Sequence, residues 1–222
     1  MIPHPPPSSS PSPVRRFVVL GVVALALGLV YAFVLRGTRS SEGEPSVLAA
    51  APESPETFHD VADFALVDSA GKPFTLNDLK ARPSIVGFVF TRCTGPCPRI
   101  TGNMRRIQDM LSGVDARLVT ITVDPEFDTP AVLADYARNV GADTNRWSFL
   151  TGPLADVVKL SERSFLLPMV RDDTQPVGSS VTHRTWLTVV DRAGRIRGYY
   201  DGEGDAGVER AVARAKFLAS EK

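Results

Sequence analysis

The hydrophobic pattern of the chain changes three times. The stretch His4-Pro5-Pro6-Pro7-Ser8-Ser9-Ser10-Pro11-Ser12-Pro13 offers almost nothing apolar to bury, so residues 1–16 are expected to form a disordered tail. Phe17 to Leu35 then runs without a charge. As a helix it is long enough to cross a hydrocarbon core of about 30 Å, which predicts a single transmembrane anchor over residues 17–35. A cleaved signal peptide would have a shorter apolar region followed at once by small residues. Here Arg36 and Arg39 follow, and Ala49-Ala50-Ala51 lies well beyond. Residues 36–56 are rich in Ser, Glu, Pro, Gly and Ala without period and read as a flexible linker.

From residue 57 to 222 the pattern is that of one folded domain, in which short apolar runs alternate with amphipathic stretches. Asp63 to Asp68 alternates as a strand, Ser69-Ala70-Gly71-Lys72 is a turn, and Pro73 to Leu76 is a second short segment. Ser84 to Phe90 is continuously apolar, as a strand buried on both faces would be. Ile100, Met104, Ile107 and Leu111 then recur at helical spacing, with Arg105, Arg106 and Asp109 on the other side. Ala116 to Val123 is a further buried strand. Thr129-Pro130 caps a helix that stops at Gly141. A strand at Trp147 to Leu150, a helix from Pro153 to Phe165, a hairpin of Thr185 to Val190 with Arg195 to Tyr200, and a final helix carrying Val208, Val212, Ala215 and Leu218 complete the series. This order describes an α/β sheet covered on both faces.

Charge narrows the function classes. The 222 residues carry a formal net charge of zero and 43% hydrophobic content, and Lys and Arg are scattered, so no basic field attracts nucleic acid. Arg15 and Arg16 on one flank of the anchor are nearly balanced by Arg36 and Arg39 on the other. A short N-terminal tail stays inside more readily than it crosses. The tail is therefore expected to be cytoplasmic, with the C-terminal domain of a single-pass membrane protein on the periplasmic or extracytoplasmic side.

The chain has 2 cysteines, both in Cys93-Thr94-Gly95-Pro96-Cys97. So close a pair is no structural staple, and two thiols alone complete neither an iron–sulfur cluster nor a four-thiolate zinc site. The pair falls where a buried strand meets a helix, the end at which open α/β sheets place their ligand sites. Pro98 suits the first helical turn, so Cys97 lies near the positive end of the helix dipole, and its thiol is expected to ionise below the free value of about 8.5, with Arg92 adding to the effect. Most dithiol oxidoreductases have two residues between their cysteines. The third residue here lets both sulfurs face one ion, although a disulfide is also compatible. Two thiolates select Cu(I), or zinc with harder ligands. Of the 3 histidines, His4 is across the membrane and His59 sits at the start of the domain. His183, just before a hairpin strand, is the candidate third ligand, with a hydrogen-bonded loop histidine as the alternative.

The order of motifs is specific. Gly87-Phe88-Val89-Phe90-Thr91-Arg92-Cys93, Cys97-Pro98, Val123-Asp124-Pro125-Glu126-Phe127-Asp128-Thr129-Pro130, Trp147-Ser148-Phe149-Leu150-Thr151-Gly152 and His183 together resemble the Sco/SenC family of membrane-anchored copper proteins over nearly all of Phe58 to Lys222. The resemblance implies a thioredoxin-like fold and copper, as Cu(I) or Cu(II), on Cys93, Cys97 and His183. It implies delivery of that copper to the binuclear centre of cytochrome c oxidase or a similar cuproprotein, the copper-bearing oxidase subunit being the client and another copper chaperone the donor. The alternative is a membrane-tethered thiol–disulfide reductase with Cys93 and Cys97 as its catalytic pair, or a copper or redox sensor. Two departures stand out: Thr94 and Gly95 precede Pro96 where the family commonly has Pro directly after the first cysteine, and Thr182 stands where the family often has Asp. Asp124 and Asp128 read as turn and helix-start residues, Met169 as core and Trp186 as packing.

Overall fold

The computed structural model describes residues 57–171, 174, 181–183 and 185–221, together with Gly28 and Tyr31. The expected tail, the linker and all but two residues of the expected anchor lie outside that set. Among the described residues no helix is long and apolar enough to cross a membrane. The chain divides into two units, Met1–Ala49 and Ala50–Lys222, and the second holds the whole sheet and both cysteines.

Its elements are β1 (His59–Asp60), β2 (Ala65–Asp68), β3 (Pro73–Thr75), α1 (Leu76–Lys80), β4 (Ser84–Val89), α2 (Cys97–Met110), β5 (Arg117–Thr122), α3 (Pro130–Asn139), β6 (Trp147–Thr151), α4 (Leu154–Lys159), β7 (Met169–Arg171), β8 (Val181–His183), β9 (Trp186–Val190), β10 (Arg195–Asp201) and α5 (Asp205–Ser220). Eight strands form one sheet in the order β1-β10-β9-β4-β5-β6-β2-β3, and β7 with β8 forms a separate two-stranded arm. β4, β5 and β6 are parallel, while β9 runs antiparallel to β4 and β2 antiparallel to β6.

The central position of β4 explains its composition. All six of its residues are buried, so the strand reads as an unbroken apolar run instead of an alternating one. α2 lays Ile100, Met104 and Ile107 against it. The approach is close enough that a Cβ on Gly87 would stand 2.9 Å from the Met104 sulfur, so glycine lets helix and strand meet there.

Three elements differ from the sequence expectation. Pro73 to Leu76 is divided, because Asp78 accepts hydrogen bonds from the N–H and hydroxyl of Thr75, both at 2.8 Å, and so starts α1 at Leu76. The helix expected over Pro153 to Phe165 is α-helical only to Lys159 and then widens into a π-helical turn over Leu160–Ser164. There the Ser161 hydroxyl bonds the Leu167 carbonyl at 2.6 Å, and Leu166 takes a positive φ of 53°. His59, placed at the bare start of the domain, pairs with Ile196 as part of edge strand β1.

The β9–β10 turn is held by a buried charge cluster. Asp191 accepts from the N–H groups of Ala193 and Arg195, and from the guanidinium groups of Arg195 and Arg197. Burial by itself would raise the Asp191 carboxyl, but these donors outweigh it and hold the group below the ordinary carboxylate range. A carboxyl lowered on folding stabilises above its unfolded pKa of about 3.9, and that stability is lost as pH falls through the lower folded value. Asp191→Asn is expected to cost about 2 kcal/mol at pH 7 and to flatten the loss of stability in acid, as read by urea unfolding at pH 7 and pH 3. Equal acid sensitivity in both proteins would show that the cluster does not carry it.

Candidate metal centre

Cys93 lies in the loop that leaves the C-terminal end of β4, and Cys97 is the first residue of α2. The loop folds back as a turn, with the Cys93 N–H donating to the Phe90 carbonyl at 3.2 Å. Pro96 caps the helix, and its carbonyl accepts from Arg99 and Ile100. Both cysteines are free thiols. They differ sharply in access: Cys97 is 1% exposed, whereas Cys93 is half-buried beside the exposed Thr94 and Gly95.

That difference reverses the expected acidity of Cys97. Burial first, and the hydrogen bond and charge of Cys93 second, push its thiol well above the ordinary range. The helix N-terminus favours a thiolate, but a thiol removed from water loses more than the dipole returns. Nor does Arg92 act on the pair as expected. Its guanidinium is bonded to Asp124, with Nε at 3.1 Å, and stacks over the Phe127 ring at 4.1 Å from the centroid.

Asp124 and Asp128 shape the loop more than their helix-start reading suggested. Asp128 is 0% exposed and accepts from the Thr91 N–H at 3.1 Å, and from the hydroxyls of Thr91 and Thr122. Its carboxylate ties the first residues of the cysteine loop to the end of β5. Asp124, also buried, does the same through Arg92, and its N–H donates to the Thr122 hydroxyl at 3.0 Å. Thr91 and Thr122 are the members of this network that the sequence did not single out. Beside Cys93 opens a largely apolar groove of about 320 Å³, flanked by Pro98, Gly102, Tyr136 and Val140 with Arg105 among its lining.

His183 is the last residue of β8 and not a loop residue. Its imidazole lies outside the described part of the structure. β9 pairs with β4 through Gly87↔Leu187 and Ser84↔Val190, so the chain just before Trp186 stands at the C-terminal end of β4, where the cysteine loop begins. Among the described residues no three His, Cys, Asp or Glu side chains cluster as a metal site. Of the remaining candidates, Trp186 packs on Tyr199 with ring centroids 5.4 Å apart.

An α/β sheet with a cysteine pair at its central strand–helix junction defines a thiol protein of thioredoxin-like architecture. Comparison with known proteins narrows the class. The SCO1/SenC family model matches residues 52–217, and the chain belongs to that family. The SCO1 protein homolog of Bacillus subtilis is 26% identical over 74% of this chain and 85% of its own. A solved structure of BsSco, described as containing a disulfide switch and as a member of the Sco family of cytochrome c oxidase assembly proteins, superposes with a TM-score of 0.67 at 26% identity, covering 76% of this chain and 98% of the other. Copper-bound ScoI of Bradyrhizobium japonicum superposes with a TM-score of 0.57 at 26% identity, over 72% and 99%. The thioredoxin-like Sco fold is thus shown.

Proposed function

We propose that this protein is a membrane-tethered copper metallochaperone that holds one copper ion on Cys93, Cys97 and His183 and hands it to the binuclear copper centre of cytochrome c oxidase or a similar cuproprotein. The observation that carries the reading is the pair of free thiols at the end of β4, the end of the sheet at which β9 begins three residues after His183. Two soft sulfurs and one imidazole suit Cu(I), the cargo, better than harder cations, and they leave room for a client ligand to enter during exchange. Cys97 contributes its sulfur from below, and the half-exposed Cys93 faces the groove through which a client side chain approaches. The copper-bound relative and the oxidase-assembly relative support the same reading. In this reading residues 17–35 serve as the anchor and residues 36–56 as the tether, and the short tail before the anchor stays inside, with the domain on the extracytoplasmic side.

The test is an anaerobic copper titration of the full chain in detergent, followed by mixing with the apo copper-bearing oxidase subunit. One copper bound per chain and its transfer to that subunit are expected. A chain that retains no copper after desalting overturns the proposal.

The asymmetry of the thiols favours a second reading, thiol–disulfide exchange. A reachable Cys93 attacks a client disulfide, and the buried Cys97 beneath it resolves the mixed disulfide, leaving a client dithiol and a Cys93–Cys97 disulfide. This activity does not need His183. Client reduction that survives His183→Ala would assign it to the dithiol alone.

A further inference from the structure

The groove beside Cys93 runs between two helices. On the α2 side, Pro98, Gly102 and Arg105 recur at helical spacing and line it from one face. Glycine is among the poorest residues for a helix interior. Packing within the chain does not call for it here: Gly102 is exposed, and a Cβ at this position would meet nothing within 4 Å. Gly87 differs, since there the Met104 sulfur takes up the space. The bare floor at Gly102 is room that this chain itself leaves unused.

The α3 side is a firm wall. Tyr136 and Val140 stand one turn apart, and Tyr136 is fixed by its hydroxyl, 2.7 Å from that of Thr101, and by its ring, edge-on to Phe149 with centroids 6.1 Å apart. Cys93 marks one end of the groove. Arg105, about two helical turns or ~10 Å beyond Pro98, marks the other and is the one charged residue in its lining among the described residues. The Arg105 guanidinium pairs with Asp109, but these side chains are 38% and 69% exposed, so water competes for the pair and the fork of five N–H donors has room for a second carboxylate. A thiol, an apolar middle and a cation thus follow one another over about three residues of extended chain.

We propose that this groove seats an extended, cysteine-bearing segment of the client. The client cysteine meets Cys93, an apolar side chain lies over Gly102, and an acidic side chain about three residues from the cysteine reaches Arg105. The inference rests on the reading that a client enters at Cys93, which copper hand-over and thiol exchange share, and it adds the kind of segment that the site accepts.

The experiment uses the full chain in detergent, reduced and free of copper. The probes are the blocked peptides Cys-Ala-Leu-Glu and Glu-Leu-Ala-Cys, which cover both directions along the groove, their Gln counterparts, and the small neutral disulfide 2,2′-dithiodipyridine. Each peptide cysteine is activated as its 2-pyridyl disulfide. The Cys93 thiolate attacks the peptide sulfur, the peptide–pyridyl S–S bond breaks, and the pyridine-2-thiolate leaves and takes up a proton, which absorbance reads. Cys97 then gives up its proton and displaces the peptide as a thiol, so the dithiol is oxidised to the Cys93–Cys97 disulfide as the mixed disulfide is reduced.

In at least one direction the Glu peptide is expected to react about threefold faster than its Gln counterpart, and Arg105→Gln to erase that difference. Gly102→Leu, which fills the floor, is expected to lower the ratio of the peptide rate to the dithiodipyridine rate about tenfold, with thermal unfolding unchanged or raised. An unchanged ratio in Gly102→Leu, or equal rates for Glu and Gln peptides in both directions, overturns this inference and leaves Cys93 as the point of entry. A chain that does not react even with dithiodipyridine overturns both.

Discussion

Serine in place of either Cys93 or Cys97 is expected to lower Cu(I) affinity at least a hundredfold, about 2.7 kcal/mol, while leaving the fold intact. The loss arises because serine replaces a soft thiolate with a hydroxyl that Cu(I) does not favour. Stability should move little, since oxygen occupies the place of sulfur. Cys97→Ser is expected to cost about 1 kcal/mol, because position 97 is 1% exposed and the new hydroxyl must give up water there. The two variants separate in a second assay. With copper absent, iodoacetamide should modify Cys93 in the Cys97→Ser protein readily, whereas Cys97 in the Cys93→Ser protein should react slowly behind its burial. Mass spectrometry of a time course reads both rates. Full copper retention in either variant would remove that sulfur from the ligand set, and equal alkylation rates would contradict the asymmetric placement of the pair.

The second large effect is expected at Asp128. Asp128→Ala takes the acceptor away from the Thr91 N–H, the Thr91 hydroxyl and the Thr122 hydroxyl, in a place with no exposure to water. A buried donor left without an acceptor costs about 1–3 kcal/mol, and the two hydroxyls recover part of that by rotating, so a total of about 3–4 kcal/mol is expected. Chemical unfolding followed by tryptophan fluorescence measures it. Because Thr91 begins the loop that carries Cys93, the same variant should also weaken copper binding by about tenfold, the size of effect typical of groups that orient metal ligands. Asp128→Asn should fall between, as its amide keeps the shape and one acceptor oxygen. A change below about 0.5 kcal/mol in Asp128→Ala would show that the network does not hold the loop.

Much of the fold was legible because its signals are local. The apolar run Ser84 to Phe90, the helical spacing of Ile100, Met104 and Ile107, and the Thr129-Pro130 start each reflect burial or capping within one element, and each corresponds to an observed strand or helix. The π-helical turn after Lys159 and the β7–β8 arm were not legible. The first depends on how Ser161 bonds around Leu167, and the second on pairing between segments that are not adjacent in the chain. Within the site, the cysteine pair and its strand–helix setting were plain from the sequence. The acidity of Cys97 was misjudged, because a dipole can be inferred from position in a helix whereas burial cannot.

The sequence by itself determined the kinds of elements, their order, and the chemistry of two close thiols with a distant histidine, since these follow from neighbouring residues and from side-chain types. Only the tertiary structure decided that β9 enters the sheet beside β4, that Asp128 reaches back to Thr91, and that Met169 stands across from His183. Those relations join residues far apart along the chain. They exist because sheet order and strand register, which no local pattern encodes, choose which distant positions become neighbours.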